Sequence, residues 1–277
     1  MTIGNKLGTD SSAIVLLHGY PFDRSMWREQ IEFLSACGYR VVAPDLRGFG
    51  EMSDKLQFVA DAAGRETKRQ AEAYRTTTTM ADMARDVAAL MDELQIEQAT
   101  VCGLSMGGYV AFEFVQLFPT RVSSLILAGT RAPADNEPEK QARAQQVEQM
   151  LTAGMSGIAE ASVPKLLAPR TMAEKPEVVA RLREMILRAN PEGAAAAQLG
   201  MAARRDYSAD LPGIKAPALV IVGRQDPIRP VADAEFMQRG LSHARLLIVE
   251  DAAHMTNLEQ PEVFNRGLEE FLGSGDL

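Results

Sequence analysis

Apolar residues along this chain fall into short unbroken runs separated by longer stretches in which they recur every three or four positions. The runs are Ala13–Leu17, Arg40–Pro44, Ala99 into Cys102, Val122–Ala128, Ala218–Val222 and Ala244–Val249. A continuous apolar run of this length reads as a strand covered on both faces, because a strand with one wet face would alternate. Between the runs lie helical patterns. Trp27–Cys37 carries Ile31, Phe33 and Leu34 and stops at Gly38, and Met80, Met83, Ala84, Val87, Leu90, Met91 and Leu94 form one stripe with Thr79 placed to cap it. Helical patterns also run from Tyr109 toward Pro119 and through Phe264, Leu268, Phe271 and Leu272. Strand and helix in alternation predict an α/β fold: a mostly parallel twisted sheet with helices on both faces.

The rhythm lapses twice. Residues 51–79 are mixed in charge and poor in large apolar side chains, which predicts an exposed excursion with a short helix around Glu66–Tyr74. Residues 131–210 contain no strand-like run and are divided by prolines into helix-length pieces, which predicts a helical cap. The domain reading is a core of residues 1–130 and 211–277 carrying a cap of residues 131–210. The cap methionines Met150, Met155, Met172, Met185 and Met201 read as core filling.

Composition narrows the function. A formal net charge of −8 leaves no basic face to offset phosphates, so no nucleic-acid partner is expected. Cys37 and Cys102 are the only cysteines, and Cys102 sits in a predicted strand, so no disulfide framework is expected. The first dozen residues lack a secretory pattern and no stretch approaches a membrane span, which gives a cytoplasmic protein with no membrane partner as the expectation. No His-Glu-x-x-His cluster is present, and the glycines around residue 105 match neither G-x-G-x-x-G nor a phosphate loop, so no metal and no cofactor are expected.

The chemistry-bearing stretch is Gly103-Leu104-Ser105-Met106-Gly107-Gly108, placed between an apolar strand and a long apolar helix. A serine in G-x-S-x-G at a strand-to-helix turn reads as a nucleophile elbow, whose flanking residues must lack bulk. A neutral hydroxyl needs a base, and the base needs a carboxylate to hold its tautomer. Asp226, in Gly223-Arg224-Gln225-Asp226, and His254 both follow strand ends, and the order Ser105, Asp226, His254 is that of one known triad arrangement. Asp251 is the alternative acid, but it shares a loop with His254, whereas Asp226 arrives from a different strand. Arg131 follows another strand end and is a candidate to pair with a substrate carboxylate.

With His18-Gly19-Tyr20-Pro21 and Asp45-x-Arg47-Gly48-x-Gly50 added, these motifs resemble the α/β-hydrolase superfamily over nearly the whole length. The resemblance is greatest to small carboxylesterases, 3-oxoadipate enol-lactonases and cofactor-free perhydrolases. It implies a serine hydrolase acting on a small ester or lactone, with the backbone N–H groups of Tyr20 and Met106 forming an oxyanion hole. The fold also serves small-molecule receptors with slow or single-turnover hydrolysis, which is the alternative function. Three features depart from the pattern: few residues precede the first strand, so the usual N-terminal hairpin is expected to be short or absent; the turn Gly50-Glu51-Met52-Ser53 is one residue longer than the common Gly-x-Gly-x-Ser form; and the 51–79 excursion leaves a strand's carboxyl end, which places it at the pocket mouth.

Overall fold

All six apolar runs pair into one parallel sheet in a computed structural model that describes residues 13–57 and 77–273. The strands are β1 (Ala13–Leu17), β2 (Arg40–Val42), β3 (Ala99–Leu104), β4 (Val122–Ala128), β5 (Ala218–Gly223) and β6 (Ala244–Val249), in the order β2-β1-β3-β4-β5-β6. Every residue of β1, β3 and β5 is buried, as unbroken apolar runs require. β2 is three residues rather than five. It lies at the sheet's edge, and Pro44 has no N–H to extend the ladder.

Helix α1 (Arg28–Ala36) links β1 to β2, α2 (Met80–Glu93) precedes β3, α3 (Met106–Leu117) links β3 to β4, and α9 (Val231–Gly240) links β5 to β6. The chain steps from β1 one way to β2 and then back across β1 to β3. Right-handed crossovers therefore put α1 on one face and α2 and α3 on the other. The C-terminal helix α11 (Pro261–Leu272) packs beside α1, and α2 beside α3. The reversal at β1 opens a crevice at the carboxyl ends of β1 and β3, where ligands bind in open parallel sheets. Registers Leu17↔Gly103, Leu104↔Ala128 and Gly223↔Val249 bring the carboxyl ends of all the central strands to that same edge.

Local signals are obeyed closely. Thr79 and Asp82 form a reciprocal capping box on α2, and Gly38 ends α1 with φ +89°. Before α1 an additional 3-10 turn, Arg24–Trp27, is capped by Asp23, whose carboxylate accepts from Ser25 N–H. Trp27, Phe112 and Phe114 are fully buried around the sheet, and each such side chain contributes roughly 1.5–3 kcal/mol.

Between β4 and β5 come five helices and no strand: α4 (Glu137–Ala153), α5 (Met155–Leu166), α6 (Pro169–Glu174), α7 (Pro176–Arg188) and α8 (Pro191–Ala202). Met150, Met155, Met185 and Met201 are buried, while Met172 is exposed. Helix α8 docks backbone to backbone on the core: a Cβ at Gly193 would stand 2.0 Å from the Gly48 carbonyl oxygen, and Thr78 N–H donates to the Ala196 carbonyl. The expected helix around Glu66–Tyr74, most of the 51–79 excursion and the expected N-terminal departure lie outside the described residues. No helix among the described residues is long and apolar enough to cross a membrane.

Candidate active site

Ser105 stands between the last residue of β3 and the first of α3 with φ 55° and ψ −111°. A non-glycine residue in that region carries roughly 1–3 kcal/mol of strain, which persists only where the surroundings over-determine it. Here they do. Ser105 N–H donates to the Ala128 carbonyl (2.8 Å), and its own carbonyl accepts from Gly108 N–H and from Thr130 Oγ1 (2.9 Å). The flanking glycines are required by close approach, since a Cβ at Gly103 would sit 2.2 Å from the Gly107 carbonyl oxygen, and one at Gly107 would sit 2.1 Å from that of Leu17. The backbone thus fixes the turn and leaves the partly exposed Ser105 side chain free of structural duty.

Asp226 and His254 meet from two different strand ends. Asp226 Oδ2 lies 2.7 Å from His254 Nδ1, and both side chains are almost wholly buried. The other Asp226 oxygen accepts the N–H groups of Ile228 (2.8 Å) and Arg229 (2.9 Å), so the carboxylate is held on both sides. Gln225 N–H donates to the Ala252 carbonyl and joins the two loops. Gly129, next to the Ala128 carbonyl that holds Ser105, has φ +50°, and a Cβ there would stand 3.4 Å from His254 Cε1 and Nδ1. The imidazole therefore lies against the segment that anchors Ser105. None of the hydrogen bonds among the described residues joins Ser105 Oγ to His254; such contacts tighten when substrate binds. Asp251, the alternative acid, is exposed and pairs with Arg170 at 2.8 Å.

The loop after β1 is locked by His18, which is fully buried. Leu46 N–H can only donate, so His18 Nε2 is the acceptor (2.9 Å) and Nδ1 carries the proton given to the Gly19 carbonyl (2.9 Å). The imidazole is thus neutral and ties the residue before Tyr20 to the loop after β2. In that loop, Asp45 accepts from Arg24 and Glu51 N–H, and Arg47 makes a two-pronged ion pair with Asp86 on α2. The N–H groups of Tyr20 and Met106 have no partner in the backbone hydrogen bonds among the described residues, and they follow the carboxyl ends of the adjacent strands β1 and β3.

His18 carries a pH prediction. Burial holds its folded-state pKa below the ordinary 6.5, with the Gly19 carbonyl and nearby carboxylates opposing only in part. A lowered pKa means that the unfolded chain binds the proton more readily. The stability contributed by His18 is complete above pH 6.5 and is lost progressively as the pH falls below it. Thermal unfolding from pH 7.5 to 5 should show a falling Tm, and His18→Asn should flatten that slope while costing about 1–3 kcal/mol for the stranded buried groups. An identical slope in both proteins would remove this assignment.

Arg131 lies at the base of the helical insertion. Its Nη2 contacts Asp135 Oδ1 (2.7 Å) and Glu139 Oε2 (2.6 Å), and its Nε is a buried donor without a partner among the described residues. Asp135 also pairs with Arg143 and Arg204, which hold its carboxyl far below the usual range despite burial. A second cluster had no signal in the motifs. The Tyr109 hydroxyl accepts from Arg229 Nη2 (2.6 Å), and the Arg204 guanidinium stacks 4.0 Å from the Tyr109 ring centre, linking the insertion to the loop that carries Asp226. The insertion also reaches the loop after β1. Tyr20 Oη donates to Met150 Sδ (3.0 Å), and Arg188 and Arg181 on α7 pair with Asp23 (2.8 Å) and Glu29 (2.5 Å).

Comparison with known proteins gives a consistent picture. A family model described as alpha/beta hydrolase fold matches residues 12–261. The chain is 33% identical over 260 residues to 3-oxoadipate enol-lactonase 2 of Acinetobacter baylyi, covering 94% of this chain and 88% of that one. Among solved structures, a thermophilic esterase from Thermogutta terrifontis, with malate bound, superposes with a TM-score of 0.85 at 38% identity, covering 96% of this chain and 90% of the other. The enol-lactonase from Burkholderia xenovorans LB400 superposes with a TM-score of 0.82 at 28% identity, covering 98% and 94%.

Proposed function

Because the chain belongs to the α/β-hydrolase fold family, we propose that it cleaves a small carboxylic ester or lactone through an acyl-enzyme built on Ser105, with His254 as base and Asp226 orienting it. Hydrolysis of carboxylic esters or lactones is the chemistry named for the enol-lactonase and esterase relatives. The observation that carries the triad reading is the 2.7 Å contact between His254 Nδ1 and Asp226 Oδ2, buried on the sheet edge that also bears the strained Ser105.

The steps follow from those atoms. His254, protonated on the Nδ1 that faces Asp226, presents unprotonated Nε2 to the Ser105 hydroxyl. Ser105 Oγ attacks the carbonyl carbon while its proton passes to Nε2, and the negative charge on the former carbonyl oxygen is met by Tyr20 and Met106 N–H and the positive end of α3. Collapse breaks the bond to the alcohol oxygen, which takes the proton from Nε2. Water then repeats the sequence on the acyl-enzyme, freeing the acid and restoring the Ser105 hydroxyl. In a lactone the released hydroxyl stays on the acyl chain, so the product is a single hydroxy acid or its keto tautomer. The insertion serves as a cap over this site, with Arg131 at the hinge between β4 and α4.

The test is steady-state hydrolysis of nitrophenyl esters of increasing acyl length and of several lactones, together with labelling by a fluorophosphonate. Fast turnover with a length optimum, and a single adduct on Ser105, is the expected result. Labelling without sustained turnover would shift the reading to a receptor, and an adduct on another residue would remove it.

A further inference from the structure

Glu259 ends the short helix α10 (Thr256–Glu259), five residues beyond His254, and has no exposed surface. Its burial has no cationic partner: no ion pair among the described residues includes its carboxylate, and the nearby Lys175 ammonium donates to the Glu259 backbone carbonyl instead (2.5 Å). Desolvation, helped by the charge of nearby Asp226, holds the Glu259 pKa above its ordinary value. A buried carboxylate kept without a counter-ion is costly unless its oxygens are filled.

They are filled from two separate parts of the chain, by two backbone N–H groups and the Thr171 hydroxyl. Oε1 accepts Ala253 N–H at 2.7 Å, and Ala253 is bonded directly to His254. Oε2 accepts Ala168 N–H at 2.6 Å, and Ala168 caps α6 in the insertion. The contact is reinforced within two residues on each side, where His254 N–H and Met255 N–H both donate to the Leu166 carbonyl (3.1 and 3.2 Å). Only a carboxylate suits this position. Both neighbours are donors, and a glutamine of the same shape would turn its amide N–H toward one of them.

We propose that Glu259 is a positioning residue for His254, clamping the His254 loop to the cap at Ala168 so that the cap holds the imidazole in register with Asp226 and Ser105. This rests on His254 being the catalytic base. The arrangement makes the cap more than a cover: its junction between α5 and α6 is part of the scaffold of the histidine.

The test compares Glu259→Gln and Ala168→Pro with the wild type, using kcat, KM, Tm and the downfield proton resonance of His254 Nδ1–H. Ala168 already has φ −64°, so proline removes one cap-side donor without new backbone strain and leaves the Thr171 hydroxyl in place. For Glu259→Gln, kcat should fall about 10- to 100-fold, as a displacement near 1 Å does, with KM within about threefold of wild type. The Nδ1–H resonance should broaden or move. Ala168→Pro should change both in the same direction but less, and it decides the matter alone if Glu259→Gln does not fold. Folded variants with wild-type kcat and an unmoved resonance, whatever their Tm, would overturn the proposal. Ser105→Ala runs in parallel: if it retains wild-type turnover the triad reading itself has failed, whereas an inactive Ser105→Ala beside fully active clamp variants sinks only the role of Glu259.

Discussion

Ser105→Ala should lose about 10⁵- to 10⁶-fold in kcat while folding normally. Both halves of that expectation come from the geometry of the elbow. The hydroxyl is the only group removed, and in the proposed mechanism it supplies the electron pair that attacks the carbonyl, so that without it no acyl-enzyme forms. The turn is held by main-chain bonds from Ser105 to Ala128, Gly108 and Thr130, none of which uses the hydroxyl. Alanine adopts positive φ no more readily than serine, so the strain is unchanged and Tm should correspond to a stability within about 0.5 kcal/mol of wild type. A residual acceleration over water should survive, because the Tyr20 and Met106 N–H groups remain to stabilise charge on a carbonyl attacked by water. The measurement is kcat/KM on a short-chain nitrophenyl ester, with fluorophosphonate labelling as control against traces of wild type. A rate within tenfold of wild type in a preparation that does not label would eliminate Ser105 as nucleophile.

The parts of this molecule that could be read from the chain are those in which a residue's duty is written by its immediate neighbours. Apolar runs such as Ile14–Leu17 have only one way to be buried on both faces, and they become the inner strands. Ser105 is announced by glycines that its own turn requires. Asp226 and His254 are legible because each follows a strand end, and a parallel sheet brings such ends to one edge. Where no local motif fixes a side chain's partner, the pattern is silent. Arg131 reads as a candidate partner for a substrate carboxylate, yet Asp135 and Glu139 contact it, and the rank of carboxylates at the start of α4 is no different in sequence from a solvated helix face. Tyr109 fits an apolar helix stripe, and nothing local signals that its hydroxyl receives Arg229 from 120 residues away. Glu259 likewise carries no local signal, because a carboxylate that serves backbone N–H groups leaves no spacing rule behind.

A common thread joins these silent contacts: most of them tie the insertion to the edge of the sheet where Ser105, Asp226 and His254 stand. Arg181 and Arg188 hold α7 to the turn after Tyr20, Arg204 stacks on Tyr109, and Leu166 and Ala168 bind the His254 loop. The core can be recognised by its strands, but the groups that hold the Tyr20, Asp226 and His254 loops come largely from a segment whose sequence shows only helices. Side-chain variation in that segment is therefore expected to alter kcat as well as substrate range.

Asp226→Asn is expected to cost about 10⁴-fold in kcat/KM, more than the loss of one negative charge alone would suggest. Asp226 Oδ1 accepts two N–H groups, from Ile228 and Arg229, and both can only donate. In the variant the amide oxygen must take that side to satisfy them, which turns the amide NH₂ toward His254 Nδ1. The imidazole then has to accept at Nδ1 and carry its proton on Nε2, facing Ser105 with a donor where the reaction needs an acceptor. The wrong tautomer is thus imposed by the backbone of residues 228 and 229 rather than by chance. Because the shape and most hydrogen bonds persist, KM and the unfolding temperature should change little beside the fall in kcat. Raising the pH should not restore activity, since the fault is the position of a proton and not its number. Full activity in Asp226→Asn, or its rescue at high pH to within tenfold of wild type, would show that another group orients His254.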